Sequence, residues 1–168
     1  LRDKIALFTN VAQDAVFSVP DVACIYELPI HLHAQGVDDK IAELLNIWSR
    51  TPDLTGWNTV VERIKNPSAT VNIALVGKYV ELTEAYKSLN EALIHGGVAN
   101  DCQVNLEHVD AEDIERKGTA RLDTADGILV APGFGIRGVE GKIAAARYAR
   151  ERLVPYFGIC LGLQVAVI

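Results

Sequence analysis

The chain has 168 residues, of which 49% are hydrophobic and 23% are charged, and its formal net charge at pH 7 is −6. This composition is typical of a globular protein, and the acidic balance with scattered basic residues argues against a nucleic-acid partner. No apolar run approaches the roughly 20 residues that a membrane-spanning helix needs, so we expect no membrane partner. Three cysteines at irregular spacing indicate neither a disulfide framework nor a zinc site, and they favour a reducing cytoplasm.

The length is enough for one ordinary domain or for parts of two. The chain has no methionine, even at position 1, and residues 164–168 read as a helix that has barely begun. We therefore expect a fragment that is cut at both ends.

Residues 1–51 lack a glycine-rich phosphate loop and predict a mixture of short elements. In chain order we expect an amphipathic segment at 3–8, a β-prone run at 15–19, a helix capped by Asp21, and a helix from Asp38 or Asp39 through Trp48. His31 and His33 are two residues apart, which would place them on different faces of a helix, and neither has another ligand type at metal-binding spacing. We predict no metal site.

A connector is predicted at residues 52–70. Asp53 is expected to cap a helix bracketed by Pro52 and Pro67, which carries apolar residues at helical spacing. We place the boundary between two domains near residues 66–70, so that the chain divides into 1–51, the connector 52–70, and 71–168.

From residue 71 the pattern changes to an alternation of strands and helices. Strands are predicted at 71–77, 102–109, 125–130 and 154–159. Helices are predicted from Thr83 or Glu84 to the pair Gly96 and Gly97, as a short turn at 110–117, and at 142–152. Strands separated by helices form a parallel sheet with right-handed crossovers, so the fold class is α/β with flanking helices.

The last predicted strand passes into Gly158-Ile159-Cys160-Leu161-Gly162. This order of strand, sharp turn and helix is typical of a nucleophile elbow, in which small residues on either side of the nucleophile avoid a collision. The backbone N–H of Leu161 would face an oxyanion formed beside the sulfur. The alternative is a buried, inert cysteine between ordinary glycines.

A second loop, 131–138, follows the third predicted strand and contains four glycines. Ligands of parallel sheets bind beyond the carboxyl ends of the strands, so this loop and Cys160 should meet there. One N–H near Gly133 and that of Leu161 would then bind the same oxygen. Read alone, the loop is also compatible with a flexible turn.

Four segments of the chain form a recognisable combination: 76–82, 85–88, 135–142 and 158–164. Together they resemble the CTP synthases, and the resemblance runs over the whole chain, whereas the elbow alone resembles any class I glutamine amidotransferase. Residues 2–8 and Asp21, Val22, Ile25 and Tyr26 resemble the end of the family's synthetase (amidoligase) domain. The resemblance implies that 1–51 ends an α/β synthetase domain and that 71–168 begins a flavodoxin-like class I glutaminase domain, which is incomplete here.

The resemblance implies an enzyme that makes CTP from UTP, ATP and glutamine. Glutamine would be hydrolysed through a cysteinyl thioester, and the ammonia would pass to ATP-activated UTP. The family requires Mg²⁺ with ATP, which residues outside this chain would bind. It is activated by GTP, inhibited by CTP and assembles as a homotetramer.

The resemblance also implies roles for particular residues. Cys160 would be the nucleophile. Gly133 and Leu161 would supply oxyanion-hole amides, and Gly133 with Leu161, Gly162, Leu163 and Gln164 would line the glutamine site. Lys4 matches a lysine that contacts the pyrimidine nucleotide, and Val22 with Asp21 matches the region that binds the adenine of ATP.

Two departures from the family pattern limit these expectations. The family loop commonly reads Val-Pro-Gly-Gly-Phe-Gly, but here Pro132 precedes Gly133 and has no N–H to donate. The family's triad His and Glu lie downstream of the cysteine, and the phosphate loop is also missing, so we expect the chain alone to be inactive. Two other hypotheses are another class I glutamine amidotransferase, and a non-catalytic flavodoxin-like module with a structural or redox cysteine.

Overall fold

The computed structural model describes residues 1–78 and 83–168, with the backbone alone described at Thr83 and Glu84. Residues 79–82, which belong to the segment 76–82 of the family resemblance, therefore lie outside the described residues. The chain forms two compact units, residues 1–66 and residues 67–168. In the described ranges no helix is both long enough and apolar enough to cross a membrane.

Helices and turns make up the first unit, every residue of which is described. Its α-helices are α1 (Arg2–Thr9), α2 (Leu28–Ala34), α3 (Val37–Leu44) and α4 (Thr55–Lys65), and 3₁₀ turns occupy Gln13–Ala15 and Ile25–Glu27.

The expected strand at 15–19 is wrong. Residues 16–19 have no regular structure. The backbone of Ser18 bonds instead to the Gln35 side chain, with Ser18 N donating to Oε1 (3.0 Å) and Gln35 Nε2 donating to the Ser18 carbonyl (2.8 Å). A side chain therefore makes the hydrogen bonds that a neighbouring strand would otherwise supply.

Two helix boundaries in this unit also differ from the prediction. Asp21 caps no helix, because helical structure begins at Ile25 and α2 begins at Leu28. Pro29 in the first turn of α2 favours this later start, since a first-turn residue needs no N–H. The next helix, α3, ends at Leu44 and does not reach Trp48, because Asn46 has a left-handed backbone (φ 51°).

Asp53 lies one residue before the cap position of α4, which is Leu54, but its side chain still bonds to the first residue of the helix. Its Oδ1 accepts from the backbone N of Thr55 (2.9 Å) and from the Thr55 hydroxyl (2.6 Å). These bonds satisfy an amide of the first turn of α4, which would otherwise have no intrahelical partner. As expected, α4 ends before Pro67.

The second unit is a parallel α/β sheet, as predicted. Its elements are β1 (Ala69–Gly77), a 3₁₀ turn (Thr83–Tyr86), α5 (Lys87–Ala99), β2 (Cys102–Asp110), α6 (Ala111–Lys117), a 3₁₀ turn (Ala120–Leu122), β3 (Gly127–Val130), α7 (Val139–Arg152), β4 (Tyr156–Gly158) and α8 (Leu161–Val165). The four strands lie in the order β2-β1-β3-β4, and every neighbouring pair is parallel.

Apolar side chains cover both faces of this sheet. Ala74, Val76 and Val130 pack on one face with residues of α6, α7 and α8, and Leu75 and Leu129 pack on the other. Neighbouring positions of a strand point to opposite faces, so a continuous apolar run is the pattern of a sheet that is buried on both sides.

The helix α5 does not end at Gly96 and Gly97, contrary to the prediction, but continues to Ala99. Gly97 is buried where the helix crosses β2, and a Cβ there would lie 2.6 Å from the Cys102 carbonyl oxygen and 2.6 Å from Val104 Cγ2. This glycine permits close helix–strand packing instead of ending the helix.

Candidate active site

The strands β3 and β4 are neighbours, so the segments that follow them leave the sheet side by side. Val130 pairs with Gly158, and the N–H of Ile159 donates to the Val130 carbonyl (3.0 Å). The N–H of Ala131 donates to Val76 in β1 (2.9 Å), which fixes the start of the loop after β3. The sheet therefore delivers the loop 131–138 and the Cys160 turn to one edge, as predicted.

Cys160 lies at the turn between β4 and α8 and is exposed. Its backbone has φ 53° and ψ −110°, a conformation that residues with a Cβ rarely adopt. An exposed cysteine with a strained backbone, at a turn from a strand to a helix, has the geometry of a nucleophile elbow. The alternative of a buried, inert cysteine does not describe this residue.

The two glycines beside Cys160 allow the turn to close tightly. A Cβ on Gly158 would overlap the backbone of Gly162, and a Cβ on Gly162 would overlap the Val130 carbonyl. The hydroxyl of Tyr156 donates to the Gly162 carbonyl (2.6 Å), which ties the start of α8 to β4. Burial raises the pKa of Tyr156, so its hydroxyl remains a donor at neutral pH.

Two buried lysines hold the loop after β3 by its carbonyl groups. Lys142 Nζ, from α7, donates to the carbonyls of Ala131 (2.7 Å) and Pro132 (3.3 Å). Lys78 Nζ, from the end of β1, donates to the carbonyls of Phe134 (2.7 Å) and Gly135 (3.2 Å). We call these two side chains with the loop 131–135 the lysine clamp.

Lys142 has 0% of its surface exposed, and Lys78 has 5%. Burial lowers the pKa of Lys142, and the charge of Lys78 lowers it further, whereas Cys160 acts in the opposite direction. The Lys142 ammonium thus lies within electrostatic range of the Cys160 sulfur as well as under the loop.

Sequence reasoning missed the clamp, although a signal for Lys142 was present. The buried residues of α7 include Lys142, Ala145 and Ala149, which recur at helical spacing. A lysine within an otherwise apolar stripe is the sequence sign of a buried amine. Lys78 follows the apolar run of β1 directly, and its side chain turns back into the unit.

The predicted glutamine-site residues lie on the loop and the elbow of this one sheet edge. Gly133 lies within the clamp, close to Lys142, since a Cβ on it would lie 3.5 Å from Lys142 Nζ. After Cys160, Leu161 is half-buried and Gly162 is buried, whereas Leu163 and Gln164 are exposed.

The predicted nucleotide-site residues lie in the first unit. Lys4 is an exposed residue of α1. Asp21 is exposed and Val22 is half-buried, and both precede the 3₁₀ turn at Ile25–Glu27. Their roles remain predictions.

Family models match the chain in two places. Residues 81–168 match the class-I glutamine amidotransferases, and residues 1–47 match the CTP synthase N-terminus. The chain therefore belongs to the class-I glutamine amidotransferase family.

Its relatives over the full length of this chain include several CTP synthases. It is 59% identical over 169 residues to the CTP synthase of Syntrophus aciditrophicus (strain SB), covering 100% of this chain and 31% of that protein. It is 55% identical over 170 residues to that of Geotalea uraniireducens (strain Rf4), covering 100% of this chain and 32% of that protein. The chain thus spans about a third of the length of these relatives.

A solved structure agrees with the fold. The glutaminase domain of Trypanosoma brucei CTPS, solved with bound acivicin, matches with a TM-score of 0.54 and 43% sequence identity. The match covers 58% of this chain and 39% of that one. The predicted fold class and family resemblance are confirmed.

Proposed function

We propose that the chain is a segment of a CTP synthase, in which Cys160 hydrolyses glutamine to supply ammonia for the conversion of UTP to CTP. The observation that carries the proposal is the exposed Cys160 at a strained strand–helix turn, beside a glycine loop held by buried lysines. The similarity to CTP synthases runs over the whole of this chain, which supports this choice over another class I glutamine amidotransferase.

In this proposal the thiolate of Cys160 attacks the carboxamide carbon of glutamine. The carbonyl oxygen becomes an oxyanion, and the N–H groups of Gly133 and Leu161 donate to it. Collapse of this intermediate breaks the C–N bond, and ammonia leaves with a proton from a general acid outside this chain. Water then hydrolyses the thioester, so that glutamine and water yield glutamate and ammonia. Leu161, Gly162, Leu163 and Gln164 would line the glutamine site with Gly133.

The ammonia would be consumed in a synthetase domain to which residues 1–51 contribute. The match of residues 1–47 to the CTP synthase N-terminus supports this assignment. We propose that Lys4 contacts UTP or CTP and that Asp21 and Val22 lie beside the adenine of ATP.

The magnesium that accompanies ATP would be bound by residues outside this chain. Among the described side chains, no three His, Cys, Asp or Glu residues are grouped closely enough to hold a metal ion. Activation by GTP, inhibition by CTP, assembly as a homotetramer and a cytoplasmic location belong to the same proposal.

The test is Cys160→Ala in the complete protein that carries this chain. We expect glutamine-dependent CTP synthesis to fall to background, while synthesis from added ammonia persists. Cys102→Ala, which changes a half-buried thiol in β2, is the matched control and should retain both activities. Loss of both activities in a folded Cys160→Ala protein would contradict the assigned role.

The 168-residue chain alone is expected to release no glutamate from glutamine, because the triad His and Glu would be missing. Measurable release by the purified chain would show that this pair is not needed. The hypothesis of a non-catalytic module with a redox or structural cysteine makes a different prediction. It requires that an electrophilic glutamine analogue fail to label Cys160 selectively, even in the complete protein.

A further inference from the structure

The lysine clamp has a consequence for the direction of one amide. Lys142 and Lys78 bond to four carbonyls of the segment 131–135, so that the carbonyl side of the loop is held against buried ammonium groups. The residue between the two bonded pairs is Gly133. A Cβ at that position would lie 3.5 Å from Lys142 Nζ and 3.8 Å from Lys78 Cδ, so both side chains approach the same glycine.

The peptide bond between Pro132 and Gly133 links the clamp to the proposed oxyanion hole. Its carbonyl belongs to Pro132, which accepts from Lys142 Nζ at 3.3 Å, and its N–H belongs to Gly133. The C=O and N–H of a trans peptide point in opposite directions, and this bond is trans. A bond from Lys142 to the carbonyl therefore fixes the N–H of Gly133 on the edge that faces away from the lysine.

A buried lysine is costly, and general stability does not explain this one. Within the described residues, no carboxylate lies within ion-pair distance of Lys142, so its ammonium is compensated by backbone carbonyls. The positive charge of Lys78 in the same clamp repels that of Lys142 and lowers its pKa further. Proteins rarely bury a charge without an opposite partner, and the exceptions are concentrated at functional sites.

We propose that Lys142 is a positioning residue of the glutaminase site, which holds the Pro132 carbonyl so that the Gly133 N–H is directed at the developing oxyanion. Lys78 holds the far side of the same loop. This inference rests on the proposed glutamine hydrolysis and adds to it a residue outside the nucleophile, the oxyanion donors and the triad. The Gly133 N–H would bind the oxyanion, which forms only during the reaction. Loss of its orientation should therefore lower kcat more than it changes KM.

The proposal is tested by Lys142→Met in the complete protein. Methionine keeps an unbranched side chain but removes the charge and all three donors. We expect kcat for glutamine hydrolysis to fall about tenfold or more, since loss of one oxyanion donor costs about 100- to 1,000-fold and a misdirected donor costs part of that. The KM for glutamine should change less than about threefold, and ammonia-dependent CTP synthesis should be retained. Lys117→Met, the same change at an exposed lysine of α6, is the matched control and should leave all three quantities unchanged.

Two reagents distinguish an effect of the substitution on the oxyanion hole from an effect on the Cys160 thiol. 6-Diazo-5-oxo-L-norleucine presents a ketone oxygen to the hole, whereas iodoacetamide needs only the sulfur. In Lys142→Met, inactivation by the ketone should slow about tenfold, while alkylation of Cys160, followed by mass spectrometry of its peptide, should stay within about threefold. Equal slowing of both reagents would show that Lys142 acts on the sulfur or on folding and would overturn the positioning role.

Two further outcomes keep this inference distinct from the proposed function. If Lys142→Met matches the unmodified protein in kcat, the inference fails, whereas the proposed function fails only if Cys160→Ala retains glutamine-dependent synthesis. If Lys142→Met does not fold, as judged by circular dichroism, Lys142→Gln replaces it because its amide retains a donor near the loop. An intermediate loss of kcat in Lys142→Gln supports the role, and an unchanged kcat rejects it.

Discussion

Cys160 occupies a backbone conformation that should make glycine more stable than alanine at this position. With φ 53° and ψ −110°, the residue lies in a sparsely populated region, which costs a residue with a Cβ about 1–3 kcal/mol. Glycine does not bear this cost, but at an ordinary position it is less stable than alanine by about 0.5–1 kcal/mol because its unfolded chain has more freedom. The two terms oppose each other, and we expect Cys160→Gly to exceed Cys160→Ala by about 1 kcal/mol in free energy of unfolding.

The comparison requires an assay that reports on the second unit. Hydrogen–deuterium exchange of peptides from β1 and β3 meets this need, because these two strands pair at the centre of the sheet. Ala146→Gly in α7 is the control, because at an ordinary helical position alanine is more stable than glycine. This change should lower the free energy of unfolding by about 1 kcal/mol.

The reasoning is refuted if Cys160→Gly is less stable than Cys160→Ala by the same margin as Ala146→Gly is less stable than the unmodified chain. That result would mean that the turn imposes no strain on its central residue. We expect the glycine variant to be more stable than the alanine variant at position 160 and less stable at position 146, with all proteins measured under the same conditions.

Two further predictions concern packing and pH. Gly96→Ala should raise the free energy of unfolding by about 0.5–1 kcal/mol and Gly97→Ala should lower it by about 1–3 kcal/mol, because a Cβ meets no atom within 4 Å at the first position but collides with β2 at the second. Exchange in β2 peptides checks both, and a loss of stability in Gly96→Ala would contradict the argument. Burial lowers the pKa of Lys142 from its ordinary 10.5, so between that lowered pKa and 10.5 the folded chain binds fewer protons than the unfolded chain. The free energy of unfolding should therefore gain a positive slope with pH in that interval, and the slope should be absent in Lys142→Met; equal slopes in the two proteins would refute it.

Residues 71–168 could be predicted from the sequence because their signals are local. Each central strand is a short apolar run that is buried on both faces, as in residues 74–76, and each is followed by a helical segment. The elbow has an equally local signal, since Gly158 and Gly162 are required by contacts within a few residues of Cys160 or with the adjacent strand. Such patterns indicate the structure without knowledge of distant partners.

The errors arise where a packing contact or a hydrogen bond overrides the local propensity of a segment. The run at 15–19 has a β-prone composition, but the side chain of Gln35 takes the backbone hydrogen bonds of Ser18. The pair Gly96 and Gly97 resembles a helix end, but the approach of β2 explains the second glycine. Sequence propensity does not show which contacts a residue makes in the folded chain, so it gives the wrong element at 15–19 and the wrong helix end at Gly96 and Gly97.

Pro132 shows how the loop can depart from the common family sequence and still present an oxyanion donor. A proline at this position removes one N–H, but its carbonyl remains and accepts from Lys142. The loop is therefore held from its carbonyl side, and the proposed hole needs only the N–H of Gly133 from the segment after β3 and that of Leu161 from the segment after β4. Because β3 and β4 pair directly, through Val130 and Gly158, the sheet register sets the separation of the two donors. A site built in this way depends on the strand pairing and on a buried lysine more than on the number of glycines in the loop.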